Sequence, residues 1–151
     1  MNRKITICRA EKQELKTILD IQRLAFQREA EEYNDFLIEP LTQSLEEVEK
    51  EFEYMIFLKA VDENGKIVGS TRGFVEGGTS YVRTTSVHPD YQGIGIGSKL
   101  IQALEEVNLA SRYEISASIR CPQNIKLYEK LGFVRFKEIK TENNGFIYLE
   151  K

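Results

Sequence analysis

Hydrophobic and polar residues follow two different periods along this chain. Alternation with a period of two predicts strands in the segments 4–10, 55–61, 66–76, 79–87, 112–119, 133–139 and 145–151. Apolar residues at helical spacing predict a first helix that begins at Leu15 and a third helix from Leu100 to Val107. The capping-box sequence 44–47 predicts the start of the second helix, and a fourth helix covers 123–132. We expect a loop around Pro40, between the first two helices.

The order of these elements, βααβββαβαββ, is typical of an α/β (α+β) domain. Tight turns at 63–65 and 77–78 join consecutive strands, so most neighbouring strands should be antiparallel. The helix after strand 79–87 crosses over before the next strand, which predicts one parallel pair. We therefore expect a single domain over residues 1–151, with a mixed, mostly antiparallel central sheet of six to seven strands and helices on both faces.

Composition and charge exclude several classes of protein. The formal net charge of −3 lacks the basic surplus of a nucleic-acid-binding domain. No apolar run approaches the roughly 20 residues of a membrane span, and the amino-terminal segment has no apolar centre like that of a secretory signal. Cys8 and Cys121 lie too far apart for metal-ligand spacing or a disulfide framework. We expect a cytoplasmic protein with no metal and with no nucleic-acid or membrane partner.

Charge is distributed unevenly along the chain. Segment 11–53 carries 5 Lys/Arg against 13 Asp/Glu, a balance of −8, whereas the remainder carries 16 against 11, a balance of +5. Solvated helical faces are the simpler interpretation. The alternative is a cationic substrate on one side of the molecule and an anionic cofactor on the other.

The segment 87–100, VHPDYQGIGIGSKL, places Gly93, Gly95 and Gly97 directly before an apolar helix. Glycine is costly in a helix, but it permits positive φ and close approach of another molecule. The first turn of a helix also offers unpaired N–H groups at the positive end of its dipole. One glycine would suffice for a turn, so three at alternate positions favour a phosphate site built from Gln92–Ser98, with the serine hydroxyl as an extra donor.

Two common phosphate loops do not match this segment. A Walker A loop ends in Gly-Lys-Ser/Thr, whereas this stretch reads Gly97-Ser98-Lys99. The dinucleotide-binding fingerprint requires a different glycine spacing after the first strand of a βαβ unit.

The segment resembles the signature of the GCN5-related N-acetyltransferases, the GNAT family. That signature is Gln/Arg-x-x-Gly-x-Gly/Ala after a strand ending in Val-x-Pro, and this chain has Val87-His88-Pro89 followed by Gln92-Gly93-Ile94-Gly95-Ile96-Gly97. A second block, Leu127-Tyr128-Glu129-Lys130-Leu131-Gly132-Phe133, looks like the family's LYEKLGF helix. The element order fits as well, so the resemblance covers essentially the whole chain.

The resemblance implies acetyl-CoA as the donor, with coenzyme A as the co-product. Its pyrophosphate would lie on the backbone amides of Gln92, Gly93, Ile94, Gly95, Ile96, Gly97 and Ser98. Its pantetheine arm would pair, like an added strand, with the backbone of Thr85, Ser86 and Val87. Strands at this position in the family carry a bulge, which would splay the sheet beside the site.

The resemblance also implies that Tyr128 is the general acid, since a phenol can protonate the departing thiolate. Asn124, one helical turn earlier, would contact the pantetheine or the substrate. Here the chain departs from the commoner family pattern, because Cys121 stands where Asn is usual. We interpret Cys121 as a small apolar residue rather than a nucleophile.

Many relatives carry a glutamate base on a central strand, but strand 79–87 has no acidic residue. In the family, the region corresponding to 28–35, REAEEYND, lines the acceptor pocket. A carboxylate there would bind an ammonium group and relay its proton. We expect Glu32 to be this catalytic base, and Glu29 and Tyr33 to contact the substrate.

The sequence thus favours an enzyme that transfers an acetyl group from acetyl-CoA to a primary amine of a small molecule or amino acid. One alternative is a protein or peptide N-acetyltransferase, and another is a non-catalytic CoA-binding regulatory module. The aromatic edges of the closing hairpin, 133–151, also suggest a homodimer.

Overall fold

A computed structural model describes residues 4–151, and a seven-stranded sheet runs through its centre in the order β1-β2-β3-β4-β5-β7-β6. The strands are β1 (Thr6–Arg9), β2 (Ile56–Val61), β3 (Ile67–Glu76), β4 (Thr79–Val87), β5 (Arg112–Ser118), β6 (Val134–Lys140) and β7 (Gly145–Glu150). Every neighbouring pair is antiparallel except β4 and β5. The predicted fold class is therefore confirmed, and the parallel pair lies where the crossover helix predicts it.

The helices are α1 (Leu15–Tyr33), α2 (Glu39–Thr42), α3 (Leu45–Phe52), α4 (Ile96–Val107) and α5 (Pro122–Lys130), with short 3-10 helices at Lys12–Glu14 and Pro89–Tyr91. The loop prediction at Pro40 was wrong, because α2 forms one helical turn there. Proline is tolerated in a first helical turn, since the N–H group it lacks would be unpaired anyway. The predicted capping box is present: Ser44 Oγ accepts from Glu47 N at 3.1 Å, and the glutamate accepts from Ser44 N at 3.0 Å.

Helices cover both faces of the sheet, as the sequence predicted. On one face, α1 and α3 bury Leu15, Ile18 and Val48 against Phe57 of β2. The next residue of β2, Leu58, belongs to a second apolar cluster because successive strand side chains point to opposite faces. That cluster contains α4 and α5, with Ile96, Leu100, Ile101, Leu104, Ile125 and Tyr128 among its members.

A buried arginine ties the first face together, and the sequence analysis did not find it. Arg72 of β3 is 1% exposed. Its guanidinium donates to Gln22 Oε1 at 3.0 Å and to Gln43 Oε1 at 2.9 Å, and its Nε lies 2.8 Å from Glu51 Oε1. The guanidinium also lies over the Phe57 ring. One side chain thus joins the sheet to α1, to the segment before α3 and to α3 itself.

The last strand in the sheet order, β6, is an edge strand whose residues are all exposed. Its exposed apolar side chains include Val134, Phe136 and Ile139. These residues belong to the hairpin from which a homodimer was predicted, and the homodimer stays a prediction. Among residues 4–151, no helix has the length and apolar character needed to cross a membrane.

Candidate active site

The glycine-rich loop forms a sharp bend between β4 and α4. The side-chain amide of Gln92 donates to the carbonyl oxygen of Val87 at 2.9 Å and so ties the loop to the strand end. Gly93 and Gly95 have φ angles of 81° and 89°, in the left-handed region that side chains disfavour. The helix begins one residue later, at Ile96. Two of the three glycines are therefore required by the backbone conformation.

The backbone amides of this loop have no hydrogen-bond acceptor among the residues that the structure describes. Across residues 4–151, no hydrogen bond is donated by the backbone N–H groups from Gly93 to Ser98, and the first helical bond runs from Lys99 N to Gly95 O at 3.1 Å. Consecutive N–H groups without acceptors at a helix start, together with the positive end of the helix dipole, are the features on which anion sites at helix starts depend. A diphosphate fits this arrangement because several amides can donate to its oxygens.

Gly97 has a different explanation from the other two glycines. Its φ is not positive, and a Cβ atom added there would lie 3.7 Å from Leu127 Cδ2 and 3.9 Å from Val87 Cγ2, which is ordinary contact. Nothing in the described protein therefore requires glycine at this position. The same distances show that the first turn of α4 lies against both α5 and the end of β4.

Beside this loop, β4 carries a bulge and separates from β5. Thr71 of β3 pairs with Thr85, and Gly73 pairs with Val82, so β4 has one more residue in this interval than β3. On its other side, β4 pairs with β5 only over Thr79–Tyr81 within the described chain. The strands therefore diverge toward the glycine loop and leave the last half of β4 with a free edge.

On that half of β4, the side chains of Thr85 and Ser86 offer few polar groups to a ligand. The Thr85 hydroxyl is hydrogen-bonded to Thr71 Oγ1 at 2.8 Å. Ser86 is 3% exposed, and its hydroxyl has no hydrogen-bond partner in the described structure. The free edge can thus bind an extended ligand through its main chain, since strand pairing does not depend on side-chain identity.

Tyr128 lies in α5 and is 7% exposed. Its ring packs edge-on against Phe133, and within residues 4–151 its hydroxyl makes no hydrogen bond. Burial raises the pKa of Tyr128 well above its usual value, and the neighbouring Cys121 raises it further. The phenol therefore keeps its proton at neutral pH and is a donor rather than a base.

At the amino-terminal end of α5, a carboxylate of α1 is buried. Glu29 of α1 is 9% exposed, and Cys121 Sγ donates to its Oε1 at 3.1 Å. Burial raises the pKa of Cys121 to about 12, with the Glu29 hydrogen bond and the charges of Glu29 and Glu32 contributing in the same direction. The thiol therefore stays protonated at neutral pH.

Arg120 joins three parts of this region. Its guanidinium donates to Asp35 Oδ2 at 3.1 Å and to the carbonyl oxygen of Asn143 at 2.6 Å, and it lies 3.8 Å from Glu29 Oε2. It also lies 4.8 Å from the centre of the Tyr33 ring. The end of α1, the loop before α5 and the turn between β6 and β7 are thus held at one point. Sequence analysis missed Arg120 because its partners are distant along the chain.

The other predicted site residues differ in how far their side chains are exposed to solvent. Glu32, the predicted base, is exposed on α1, whereas Glu29 is buried three residues earlier. Tyr33 is 44% exposed, and its ring covers Arg120. Asn124 is half-buried in the first turn of α5, in the same helix as Tyr128.

No cluster of three or more His, Cys, Asp or Glu side chains within residues 4–151 has the arrangement of a metal site. One carboxylate of β5, that of Glu114, forms an ion pair with Arg112, with 2.9 Å between Arg112 Nη2 and Glu114 Oε1.

The fold is shared with solved acetyltransferases. PaiA N-acetyltransferase from Thermoplasma acidophilum, solved with coenzyme A, has a TM-score of 0.80 at 16% identity, over 98% of both chains. The ribosomal-protein-S18-alanine N-acetyltransferase from Escherichia coli has a TM-score of 0.79 at 20% identity, over 97% of this chain and 92% of that one. The spermidine N-acetyltransferase from Vibrio cholerae, solved with CoA and spermine, has a TM-score of 0.74 at 15% identity, over 97% and 94%. These likenesses establish the fold.

Two curated proteins are similar over part of the chain. The uncharacterized N-acetyltransferase ycf52 of Pyropia yezoensis is 32% identical over 76 residues, which are 49% of this chain and 43% of that protein. The N-terminal acetyltransferase B complex catalytic subunit NAA20 of Arabidopsis thaliana is 28% identical over 85 residues, 54% of this chain and 49% of that protein. The matches span less than half the length of either relative.

A family model described as an acetyltransferase (GNAT) domain matches residues 54–135. This interval includes the glycine loop, the bulged strand and the helix that carries Tyr128. Since the match covers more than half of the chain, the chain belongs to the GNAT acetyltransferase family.

Proposed function

We propose that this protein is an N-acetyltransferase that transfers an acetyl group from acetyl-CoA to a primary amine of a small molecule or amino acid. The transfer is direct, in a ternary complex, with no covalent enzyme intermediate. The observation that carries the proposal is the row of N–H groups from Gly93 to Ser98 that lack acceptors in the described protein, at the start of α4. That helix start lies against Leu127, the residue before Tyr128.

Main-chain groups hold the donor in this proposal. The amides from Gly93 to Ser98 bind the diphosphate, and Gln92 keeps the loop fixed on Val87. The free edge of β4 at Thr85, Ser86 and Val87 pairs with the pantetheine arm. When bound, acetyl-CoA supplies the thioester whose acetyl group is transferred. Much of the rate comes from holding the two reactants together, because that removes the entropic cost of their encounter.

Tyr128 donates a proton to the departing sulfur. Its raised pKa and its hydroxyl, which makes no hydrogen bond within residues 4–151, both support a group that holds a proton for a partner outside the protein. In this proposal Asn124, one turn earlier in α5, contacts the pantetheine or the acceptor. The acceptor amine lies at the end of α1, among Glu29, Glu32 and Tyr33.

The proposal is tested by calorimetry with CoA and by turnover. The purified protein is incubated with acetyl-CoA and a panel of amines, amino acids and polyamines, and the release of free thiol is measured. We expect CoA binding and turnover of at least one cationic amine. No CoA binding together with no turnover would contradict the proposal. CoA binding without turnover of any acceptor would instead support the non-catalytic regulatory module.

A peptide amino terminus is the second acceptor class. Exposed apolar side chains at the end of α1 and in the loop after it favour a larger acceptor: Tyr33 is 44%, Phe36 48% and Leu37 83% exposed. The similarity to NAA20 and to the S18-alanine acetyltransferase points the same way. Peptides with different first residues, included in the same panel, distinguish the two classes by their kcat/KM values.

A further inference from the structure

We infer that Glu29, rather than Glu32, takes the proton of the acceptor amine, and that Cys121 is the residue that positions it. This inference rests on the proposed function and assigns the base of the same site. It is argued from the buried contacts of Glu29 with Cys121 and Arg120, and from the position of Tyr128 in the helix that Cys121 caps.

Burial distinguishes the two carboxylates. Glu29 is 9% exposed, whereas Glu32 is on the exposed side of the same helix. An ionised carboxylate loses favourable hydration on burial, so a buried one requires partners. A solvated carboxylate such as Glu32 binds an ammonium group weakly, because water competes for it and screens its charge.

The two oxygens of Glu29 have different partners. Oε1 accepts from the Cys121 thiol at 3.1 Å. Oε2 accepts no hydrogen bond from any residue in 4–151, and the cation closest to it, Arg120 Nη1, is 3.8 Å away. That arginine nitrogen is instead hydrogen-bonded to Asp35 at 3.1 Å. Oε2 therefore has lone pairs available for an ammonium donor, while Oε1 fixes the orientation of the carboxylate.

Cys121 also links this carboxylate to the proposed acid. The thiol contacts Glu29 and caps the amino terminus of α5, and Tyr128 follows it by seven residues, two turns along the same face of that helix. The Tyr128 hydroxyl, in a side chain that is 7% exposed, forms no hydrogen bond within the described residues. A proton acceptor without a full set of partners thus lies at the start of α5, and a proton donor without a partner lies two turns along it. Amide formation from an ammonium and a thioester requires one group of each kind.

The protons balance in this scheme. Glu29 takes one proton from the ammonium and releases it to solvent. The resulting amine forms the C–N bond as the C–S bond breaks, and Tyr128 protonates the departing sulfur. The second proton lost by the nitrogen, on becoming an amide, restores the phenol. The net reaction converts an ammonium and acetyl-CoA into an amide, CoA and one proton.

The test compares two acceptors that differ in their need for a base. At about pH 9, n-butylamine is still mostly protonated, as an alkylammonium group is, whereas hydrazine is mostly neutral. We expect Glu29→Gln, which keeps the shape and an acceptor oxygen for Cys121, to reduce kcat/KM for n-butylamine by about 10²–10⁴-fold. The loss with hydrazine should be at least about tenfold smaller, because that nucleophile needs no prior deprotonation.

Matched variants separate a base from a structural residue. Asp20→Asn, on the exposed surface of the same helix but outside segment 28–35, is the control and should leave both rates within about twofold. Equal losses of both acceptors in Glu29→Gln would show a merely structural role and overturn the inference. Selective loss of n-butylamine turnover in Glu32→Gln instead would assign the base to Glu32 and also overturn it.

The positioning role of Cys121 has its own readout. Cys121→Ala should lower the n-butylamine rate relative to the hydrazine rate by about 3–10-fold, and Cys121→Ser, which can still donate to Glu29, should recover most of that ratio. An unchanged ratio in Cys121→Ala would remove Cys121 from the scheme. If the wild-type protein acetylates neither amine, nor any other in the panel, the proposed function itself fails, and this is known before any variant is compared.

Discussion

The two ends of the candidate site are built from different parts of the chain. The end that faces the glycine loop presents backbone: N–H groups from Gly93 to Ser98 and the free edge of β4. The end at α1 presents buried side chains, with Glu29, Arg120 and Cys121 in direct contact. Backbone groups are the same in every protein, so the first end suits a donor common to a whole family. Side chains differ between proteins, so the second end suits an acceptor specific to this one.

The largest expected effect is on the chemistry between the two ends. Tyr128→Phe removes only a hydroxyl and keeps the ring against Phe133. We expect kcat to fall by about 10²–10⁴-fold, because the thiolate then departs without a general acid. Affinity for CoA, measured by calorimetry, should stay unchanged because the backbone contacts remain.

The control for this variant is Tyr148→Phe, at a tyrosine of β7 whose ring packs edge-on against Phe136 of β6. A fall in kcat smaller than about threefold in Tyr128→Phe would show that the hydroxyl takes no part in the chemistry.

The burial of Tyr128 should also change how the stability of the protein depends on pH. Since folding raises the pKa of Tyr128, the neutral phenol favours the folded state, and stability should decline as pH rises above the unfolded value of about 10. Urea unfolding should show a smaller decline in Tyr128→Phe.

The next largest effect is on stability, at the face of the sheet that α1 and α3 cover. Arg72→Leu leaves Gln22, Gln43 and Glu51 without their shared partner in a buried site. We expect a loss of about 3–5 kcal/mol in the free energy of unfolding, measured in urea. Hydrogen exchange should accelerate in α1 and α3 more than in α4, because the Arg72 guanidinium contacts side chains of α1 and α3.

Lys50→Ala is the matched control for Arg72→Leu, since it breaks an exposed ion pair in α3, where the lysine lies 3.9 Å from Glu46. It should change stability by less than about 0.5 kcal/mol. Equal acceleration of exchange in α1 and α4 after Arg72→Leu would show that Arg72 does not stabilise the face with α1 and α3 separately from the face with α4.

The smallest expected effect is at Gly97, in the backbone end of the site. Gly97→Ala introduces a methyl group at a position where the described protein leaves ordinary contact distances. A helical alanine should stabilise the protein by about 0.5–1 kcal/mol relative to glycine. We nevertheless expect CoA to bind about tenfold more weakly, because the methyl group lies where the diphosphate approaches the amides.

Gly65→Ala provides the opposite case for comparison. Gly65 has a φ of 81° in the turn between β2 and β3, with no other atom within 4 Å of an added Cβ. This variant should lose stability because of its backbone conformation and should bind CoA normally. Unchanged CoA affinity in Gly97→Ala would mean that the ligand does not approach this part of the helix.

The backbone end was predictable from local sequence. The glycines at 93 and 95 report positive φ, and the strand and helix on either side follow from their hydrophobic periods. The bulge in β4 was expected only from the family resemblance, because the run Arg83 to Ser86 has no residue that requires one. The short helix at Pro40 was missed because proline signals a loop and a first helical turn equally well.

What the sequence determined by itself is the order of the strands and the longer helices, the hairpins, the crossover and the conformation of the glycine loop, since these depend on residues close together in the chain. Only the tertiary structure decided that Glu29 is buried while Glu32 is exposed. Only it decided that Arg120 binds Asp35, 85 residues away, and that Arg72 joins three separate segments. Burial and charge pairing depend on which distant segments meet, and no local pattern records that.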